Sequence, residues 1–115
     1  MTNETELYLE NIESQMRKGT LEFLVLLIIS DDEVYALDIL KKLKTANMIV
    51  VEGTLYPLLS RLKREELLEY SWHESESGPP RKYYHLTKKG QELLRELKKY
   101  WKELNHSITH LIQSV

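Results

Sequence analysis

The cations of this chain come in clumps: Lys41/Lys42/Lys44, Arg61/Lys63/Arg64, Arg81/Lys82 and Lys88/Lys89. Side chains of this kind at this spacing can hold phosphates, and several together fix a polyanion on a protein surface. The net charge of −2 argues against nucleic acid, but the sum hides the distribution. Residues 1–16 carry Glu4, Glu6, Glu10 and Glu13 and no cation, so the remaining chain is net +2. Clumped cations on a near-neutral background describe a phosphate footprint, and they also describe ordinary solvated helix faces. The elements that carry them must decide.

Other chemistries find little support. His106 and His110 are spaced i, i+4 and could share a metal, but no glutamate stands between them in an HExxH arrangement and the chain has no cysteine. A solvated helix face is the better account. The sequence contains no glycine-rich phosphate loop, no nucleophile elbow and no paired-carboxylate constellation. We therefore expect no enzyme activity, no metal and no cofactor.

At 115 residues, 42% hydrophobic and 30% charged, the chain is one globular domain's worth of sequence. The absence of cysteine fits a reducing compartment. The longest apolar run, FLVLLII at 23–29, is too short to span a bilayer, and the acidic start MTNETELYLENIE lacks the character of a signal peptide. The expectation is a cytoplasmic protein with no membrane partner.

Periodicity then places the clumps. Residues 4–16 predict an amphipathic helix with Leu9, Ile12 and Met16 on one face, ended by Arg17-Lys18-Gly19. Thr20 would cap a second helix over 21–30, apolar almost all round and so central. After the polar turn Asp31-Asp32-Glu33, residues 35–44 predict a third helix with Leu37, Ile39, Leu40 and Leu43 inward. Residues 48–51 are either a brief strand or an extended linker. A fourth helix covers 52–65, a strand 67–75, a turn 76–80, a returning strand 81–86, and a last helix runs from Thr87 to about residue 113. This is mainly α with a small β-hairpin, in the order of a winged helix-turn-helix.

The helix at 52–65 sorts its residues by face. Leu55, Leu58, Leu59 and Leu62 share one third of its circumference, opposite Gly53, Pro57, Ser60 and Arg64 and flanked by Thr54, Tyr56, Arg61 and Lys63. An outer face that is small at its N-terminal end and basic at its C-terminal end suits a helix entering a major groove. In the hairpin, Gly78-Pro79-Pro80 should stiffen the tip and Arg81-Lys82 supply charge. Tyr84 and Leu86 should pack inward, leaving Tyr83 partly exposed. Lys88 and Lys89 fall in the first turn of the last helix, where the macrodipole disfavours cations, which hints at a nearby anion.

GTLYPLLSRLKREELLEY (53–70) followed by GPPRKYYHLTKKG (78–90) resembles the PadR family of bacterial transcriptional regulators, and YALDILKKL (35–43) is similar to that family's second helix-turn-helix element. The resemblance implies a winged helix-turn-helix with a C-terminal dimerisation helix, and DNA-binding control of transcription, usually repression relieved by a small effector. The family commonly has glycine where this chain has Glu66, and often where it has Ala36. At such a helix end φ is often positive, which costs a non-glycine residue roughly 1 kcal/mol and could reshape it.

From residue 97 the apolar positions Leu97, Trp101, Leu104, Ile108, Leu111 and Val115 are spaced 4, 3, 4, 3, 4, a heptad seam that one helix alone cannot bury. The first helix is the spare element that could join it, so Leu9, Ile12 and Met16 with Leu97, Trp101, Leu104, Ile108 and Leu111 form the expected homodimer interface. Trp101, mid-seam, offers a flat face to an aromatic or hydrophobic effector, with Leu97 and Tyr100 as neighbours. The resemblance implies the same, since an aromatic there lines the effector cavity of small PadR-like proteins.

The sequence thus predicts a DNA-binding domain over 1–90 and a dimerisation helix over 91–115. The expected contacts to a double-stranded, palindromic operator are Thr54, Tyr56, Pro57, Ser60 and Arg61 for bases. Arg64, Arg81, Lys82 and Lys88 are expected to hold phosphates, and Lys18 and Tyr83 are further expected DNA contacts. The alternative is a winged-helix module that binds another protein, for which an apolar outer face on the 52–65 helix would speak. A drug-sequestering scaffold with no DNA role would keep the Trp101 cavity and be indifferent to Arg64.

Overall fold

Four helices and one hairpin form the fold in this computed structural model, which describes residues 2–30 and 33–114. The helices are α1 (Asn3–Ile29), α2 (Ala36–Thr45), α3 (Glu52–Arg64) and α4 (Lys88–Ser114), with β1 (Leu68–Ser75) and β2 (Gly78–Leu86) between α3 and α4. This is the winged helix-turn-helix expected. Asp31 and Asp32 of the predicted turn, and Val115 of the heptad seam, lie outside the described residues.

The two predicted N-terminal helices are one. Arg17-Lys18-Gly19-Thr20 looks like a stop followed by a cap, but Gly19 does not take a positive φ. The Thr20 hydroxyl donates backward to the carbonyls of Arg17 and Met16 at 3.0 and 3.3 Å, instead of capping a new helix. A mid-helix glycine costs about 1 kcal/mol against alanine, less than the burial of Val25, Leu26 and Ile29 returns downstream.

The core is aliphatic apart from Tyr84. Val25, Leu26 and Ile29 of α1 meet Ile39 and Leu43 of α2, Leu55, Leu59 and Leu62 of α3, Leu68 and Leu86 of the hairpin and Leu94 of α4. Leu37, expected inward, is 43% exposed, because the buried stripe of α2 runs through Ala36, Ile39 and Leu43 instead. Residues 48–51 form an extended linker.

α2 and α3 end alike. Met48 N–H donates to the Leu43 carbonyl and Asn47 N–H to Lys44; Leu67 N–H donates to Leu62 and Glu66 N–H to Lys63. Each is a Schellman closure, which needs a left-handed residue. Asn47 supplies it at φ 62° and Glu66 at φ 61°. Glu66 therefore keeps the backbone shape a glycine would take, at a conformational cost, and the helix end is not reshaped.

The hairpin turn is Glu76-Ser77, shorter than expected. Ser75 faces Gly78, while between there and the His73–Arg81 pair the register shifts. Pro79 and Pro80 therefore lie in β2 at the irregularity, a position that tolerates a missing N–H. Val34 exchanges both backbone hydrogen bonds with Tyr84, at 3.1 and 2.7 Å, so the α1–α2 connection is stitched to the wing.

Thr87 starts α4 as expected: its hydroxyl oxygen accepts from Gly90 N–H at 3.0 Å and donates to the Glu66 carbonyl at 2.6 Å. Gly90 is buried, and a Cβ there would collide with the Leu67 carbonyl. α4 continues without a break through the boundary drawn at residue 90, with Leu94 in the core. Beyond Leu97 every described residue of α4 is exposed.

Candidate nucleic-acid interface

α3 turns its leucines into the core and leaves Thr54, Tyr56, Pro57, Ser60, Lys63 and Arg64 exposed. Pro57 stands inside the helix. It removes one N–H from the ladder and its ring crowds the residue four back, which is Gly53, where no side chain adds to the crowding. The outer face is small or polar at its N-terminal end and basic at its C-terminal end, with Tyr56 as its one large aromatic.

Two shallow depressions flank this face. The first lies between α3 and α1 and is lined by Lys18, Glu22, Thr54, Pro57, Arg61 and Arg64, among others. The second lies between α3 and the wing and is lined by Ser60, Lys63 and Arg64 with Tyr70, Lys82 and Tyr84. Arg64 belongs to both, so Lys18, Arg64 and Lys82 form one continuous margin drawn from three elements.

Arg61 faces the protein more than solvent. It donates to Glu22 of α1 at 3.0 Å and lies 3.5 Å from Glu65. The hydrogen bond and charge of Glu22 raise its pKa above the ordinary guanidinium value, with Glu65 adding to the effect. Its charge is thus already partnered, and it braces α3 against α1. Glu22 escaped sequence reasoning because it stands 39 residues away, in a helix whose burial dominates its pattern.

Arg81 and Lys82 separate. In the hairpin register Arg81 shares a face with Tyr83 and His73, while Lys82 shares the other with Tyr70, Trp72 and Tyr84. Arg81 lies over Tyr35 at 4.9 Å, in a cluster where Tyr83 meets Tyr35 at 5.6 Å and His73 at 4.5 Å. His73 pairs with Glu33 at 2.9 Å. Lys82 lies over Tyr70 at 4.5 Å and Trp72 at 5.3 Å, and Lys63 reaches the same Tyr70 ring at 5.1 Å. Tyr84 is buried as expected, and burial pushes its phenol up from the ordinary value of 10.0, with Tyr56 and Tyr70 adding to the shift.

Of the two lysines opening α4, Lys88 is exposed and Lys89 donates to the Glu65 carbonyl at 2.9 Å. The negative end of α3 offsets the unfavourable end of α4. That accounts for Lys89 without a bound anion.

On the far side of α1 lies an apolar groove of about 530 Å³, walled by Phe23, Leu24, Leu27, Met48 and Trp101, with Lys98 and Lys102 at its rim. Phe23 and Trp101 sit 6.4 Å apart, centroid to centroid. Leu97 packs on the core and Tyr100 is 58% exposed; neither lines the groove. The signal for the remaining wall was present, since a helix apolar all round carries more apolar surface than one core can use.

Residues 25–96 match the Transcriptional regulator PadR-like family. The chain belongs to that family. A PadR-like transcription factor from Bacteroides fragilis is 57% identical, over 88% of this chain and 98% of that one, with a TM-score of 0.74. A PadR family regulator from Eggerthella lenta is 30% identical over 99% of this chain and 100% of that one, at a TM-score of 0.86. Bacillus subtilis PadR, solved in complex with operator DNA, shares the fold at 21% identity over 67% of this chain and 45% of that one, with a TM-score of 0.62.

Proposed function

We propose that this PadR-like regulator is a cytoplasmic homodimeric repressor that binds a palindromic operator and leaves it when a small aromatic or hydrophobic molecule binds. The observation that carries the proposal is the outer face of α3: exposed, polar, and bordered by cations from α1, α3 and the wing. An apolar outer face would have favoured a protein partner. The operator complex of Bacillus subtilis PadR, which shares the fold, supports the same assignment.

In this scheme Thr54, Tyr56, Pro57 and Ser60 meet base edges, and Lys18, Arg64, Lys82 and Lys88 meet the backbone. Arg61 contributes chiefly by holding α3 on α1, and Arg81 and Tyr83 by setting the wing against Tyr35. The second half of α4, through Leu104, Ile108 and Leu111, is exposed, as are Leu9, Ile12 and Met16 of α1. A second copy would cover both, placing two recognition helices about one DNA turn, roughly 34 Å, apart. The Trp101 groove falls within the usual size of a small-molecule site, about 300–1,000 Å³. A ligand there releases DNA only by binding the DNA-incompetent arrangement more tightly.

The test is a fluorescence-anisotropy titration against the DNA upstream of the protein's own gene and against a scrambled duplex, at several salt concentrations. Tight, selective binding with two chains per site is expected. Equal, weak binding to both would move the search to operators selected from random DNA. No binding at low salt would favour a protein partner.

A further inference from the structure

We infer that the notch between α3 and the wing is a preformed seat for one DNA backbone phosphate, gripped from both elements at once, with Tyr70 positioning the grip. The inference rests on the DNA-binding proposal and deepens it. The notch holds about 280 Å³ and opens to solvent. Its polar side chains are Ser60, Lys63, Arg64, Tyr70, Lys82 and Tyr84: every one can donate a hydrogen bond and none is a carboxylate. The depression on the other flank of α3 has the opposite character, for there Glu22 already occupies Arg61.

The second observation is the placement of the lysines. Lys63 from α3 and Lys82 from β2 lie over one aromatic ring, Tyr70, at 5.1 and 4.5 Å. The ring's negative face attracts each ammonium, and so holds near one another two charges that repel. Among the described residues, no ion pair joins Lys63, Arg64 or Lys82 to an acid. An anion between them would supply the missing counter-charge with charge-assisted hydrogen bonds. Trp72, which meets Tyr70 edge-on at 6.0 Å and lies 5.3 Å from Lys82, extends the aromatic platform outward. Because one wall belongs to the recognition helix and the other to the wing, filling the seat makes the docking of both a single event.

The experiment compares wild type with Lys63→Met, Lys82→Met, the double variant, Tyr70→Phe and Tyr70→Leu, each checked for unchanged near-ultraviolet circular dichroism. Operator affinity is measured across a salt series. Each lysine change should cost roughly five- to tenfold and flatten the slope of log K against log salt by about 0.9. The double variant should lose much less than the product of the two. Tyr70→Phe, which keeps the ring and loses one neutral donor, should keep the wild-type salt slope, and Tyr70→Leu should flatten it although it removes no charge, which a merely structural role would not do. Multiplicative lysine losses, or a wild-type slope in Tyr70→Leu, overturn the inference. In a parallel lysine-acetylation footprint, operator DNA should protect Lys63 and Lys82. Protection by inorganic phosphate but not by DNA would assign the seat to a free anion and overturn the backbone-phosphate assignment. A wild-type protein that binds no DNA would instead sink the parent proposal, and is seen before any variant is made.

Discussion

Arg61 of α3 donates to Glu22 of α1 at 3.0 Å, and the next residue of α1, Phe23, faces Trp101 across the apolar groove at 6.4 Å. One turn of α1 is therefore shared by α3 and the groove. A shift of that turn would disturb the Glu22–Arg61 contact, which is how a ligand in the groove would reach α3 in the proposed scheme.

Glu22→Gln tests the brace. Both partners are more than a third exposed, so the pair is worth at most about 1 kcal/mol of stability and thermal unfolding should hardly change. The freed guanidinium should turn to phosphate instead. Binding to scrambled duplex should tighten and its salt slope steepen by up to about 0.9, lowering the operator-to-scrambled ratio. An unchanged ratio would show that the pair does not govern how Arg61 meets DNA.

Glu66→Gly relieves a left-handed non-glycine residue, worth about 1–2 kcal/mol, while increasing the unfolded chain's freedom. The Schellman bonds of Glu66 and Leu67 are made by the backbone and survive the change. The net expectation is a gain of roughly 0.5–1 kcal/mol in urea unfolding, with the m-value unchanged.

The contrast between these two positions explains what could be read in advance. Glu66 stands out because the PadR resemblance puts glycine at that helix end, and a helix end is local: its closing bonds demand a left-handed residue within a few positions. The same locality made the hairpin, the α3 faces and the heptad seam legible. Glu22–Arg61, Phe23–Trp101 and the shared Tyr70 ring are encounters between distant segments. No short window of sequence contains both halves of them. The mistaken break at Gly19-Thr20 has the converse cause, a local stop signal outweighed by tertiary burial of the residues after it. Strand alternation alone separates Arg81 from Lys82, but which aromatic rings each one meets depends on the hairpin register, which shifts beside the prolines.

Gly90→Ala should be among the most damaging single-methyl changes in the chain. Its new Cβ would run into the Leu67 carbonyl, a backbone atom held in turn by Thr87 N–H at 3.1 Å. Neither side can yield by rotating a side chain. We expect a loss of about 1–3 kcal/mol, seen as a lower urea midpoint, whereas Gly19→Ala, with nothing within 4 Å, should stabilise by roughly 0.5–1 kcal/mol.

Tyr84 makes stability fall in alkali. Its phenol is raised in the folded state chiefly by burial, so above the unfolded value near 10 the unfolded chain loses a proton that the native state keeps. The contribution is fully present below that value and is lost as pH rises through the folded one. Melting temperature measured from pH 8 upward should therefore drop beyond pH 10, and Tyr84→Phe should flatten that drop. Equal slopes for the two proteins would assign the alkaline loss to other groups.

Ile108→Lys separates the dimer from the fold. Ile108 is 42% exposed and belongs to the stretch of α4 that touches no core residue, so a lone domain should tolerate lysine there. In a seam shared by two copies the same lysine would meet its twofold mate, or a neighbour in an apolar strip, and desolvating it would cost several kcal/mol. Sedimentation equilibrium should show two chains per particle for wild type and one for the variant. Helical circular dichroism should fall as the unsupported end of α4 frays, since a helix with an unpacked apolar stripe is marginal in water. Palindromic operator binding should weaken far more than binding to a single half-site, because a monomer loses the effective concentration that the second recognition helix provides. A variant that stays dimeric and binds as before would remove α4 from the interface and leave its apolar seam without a function.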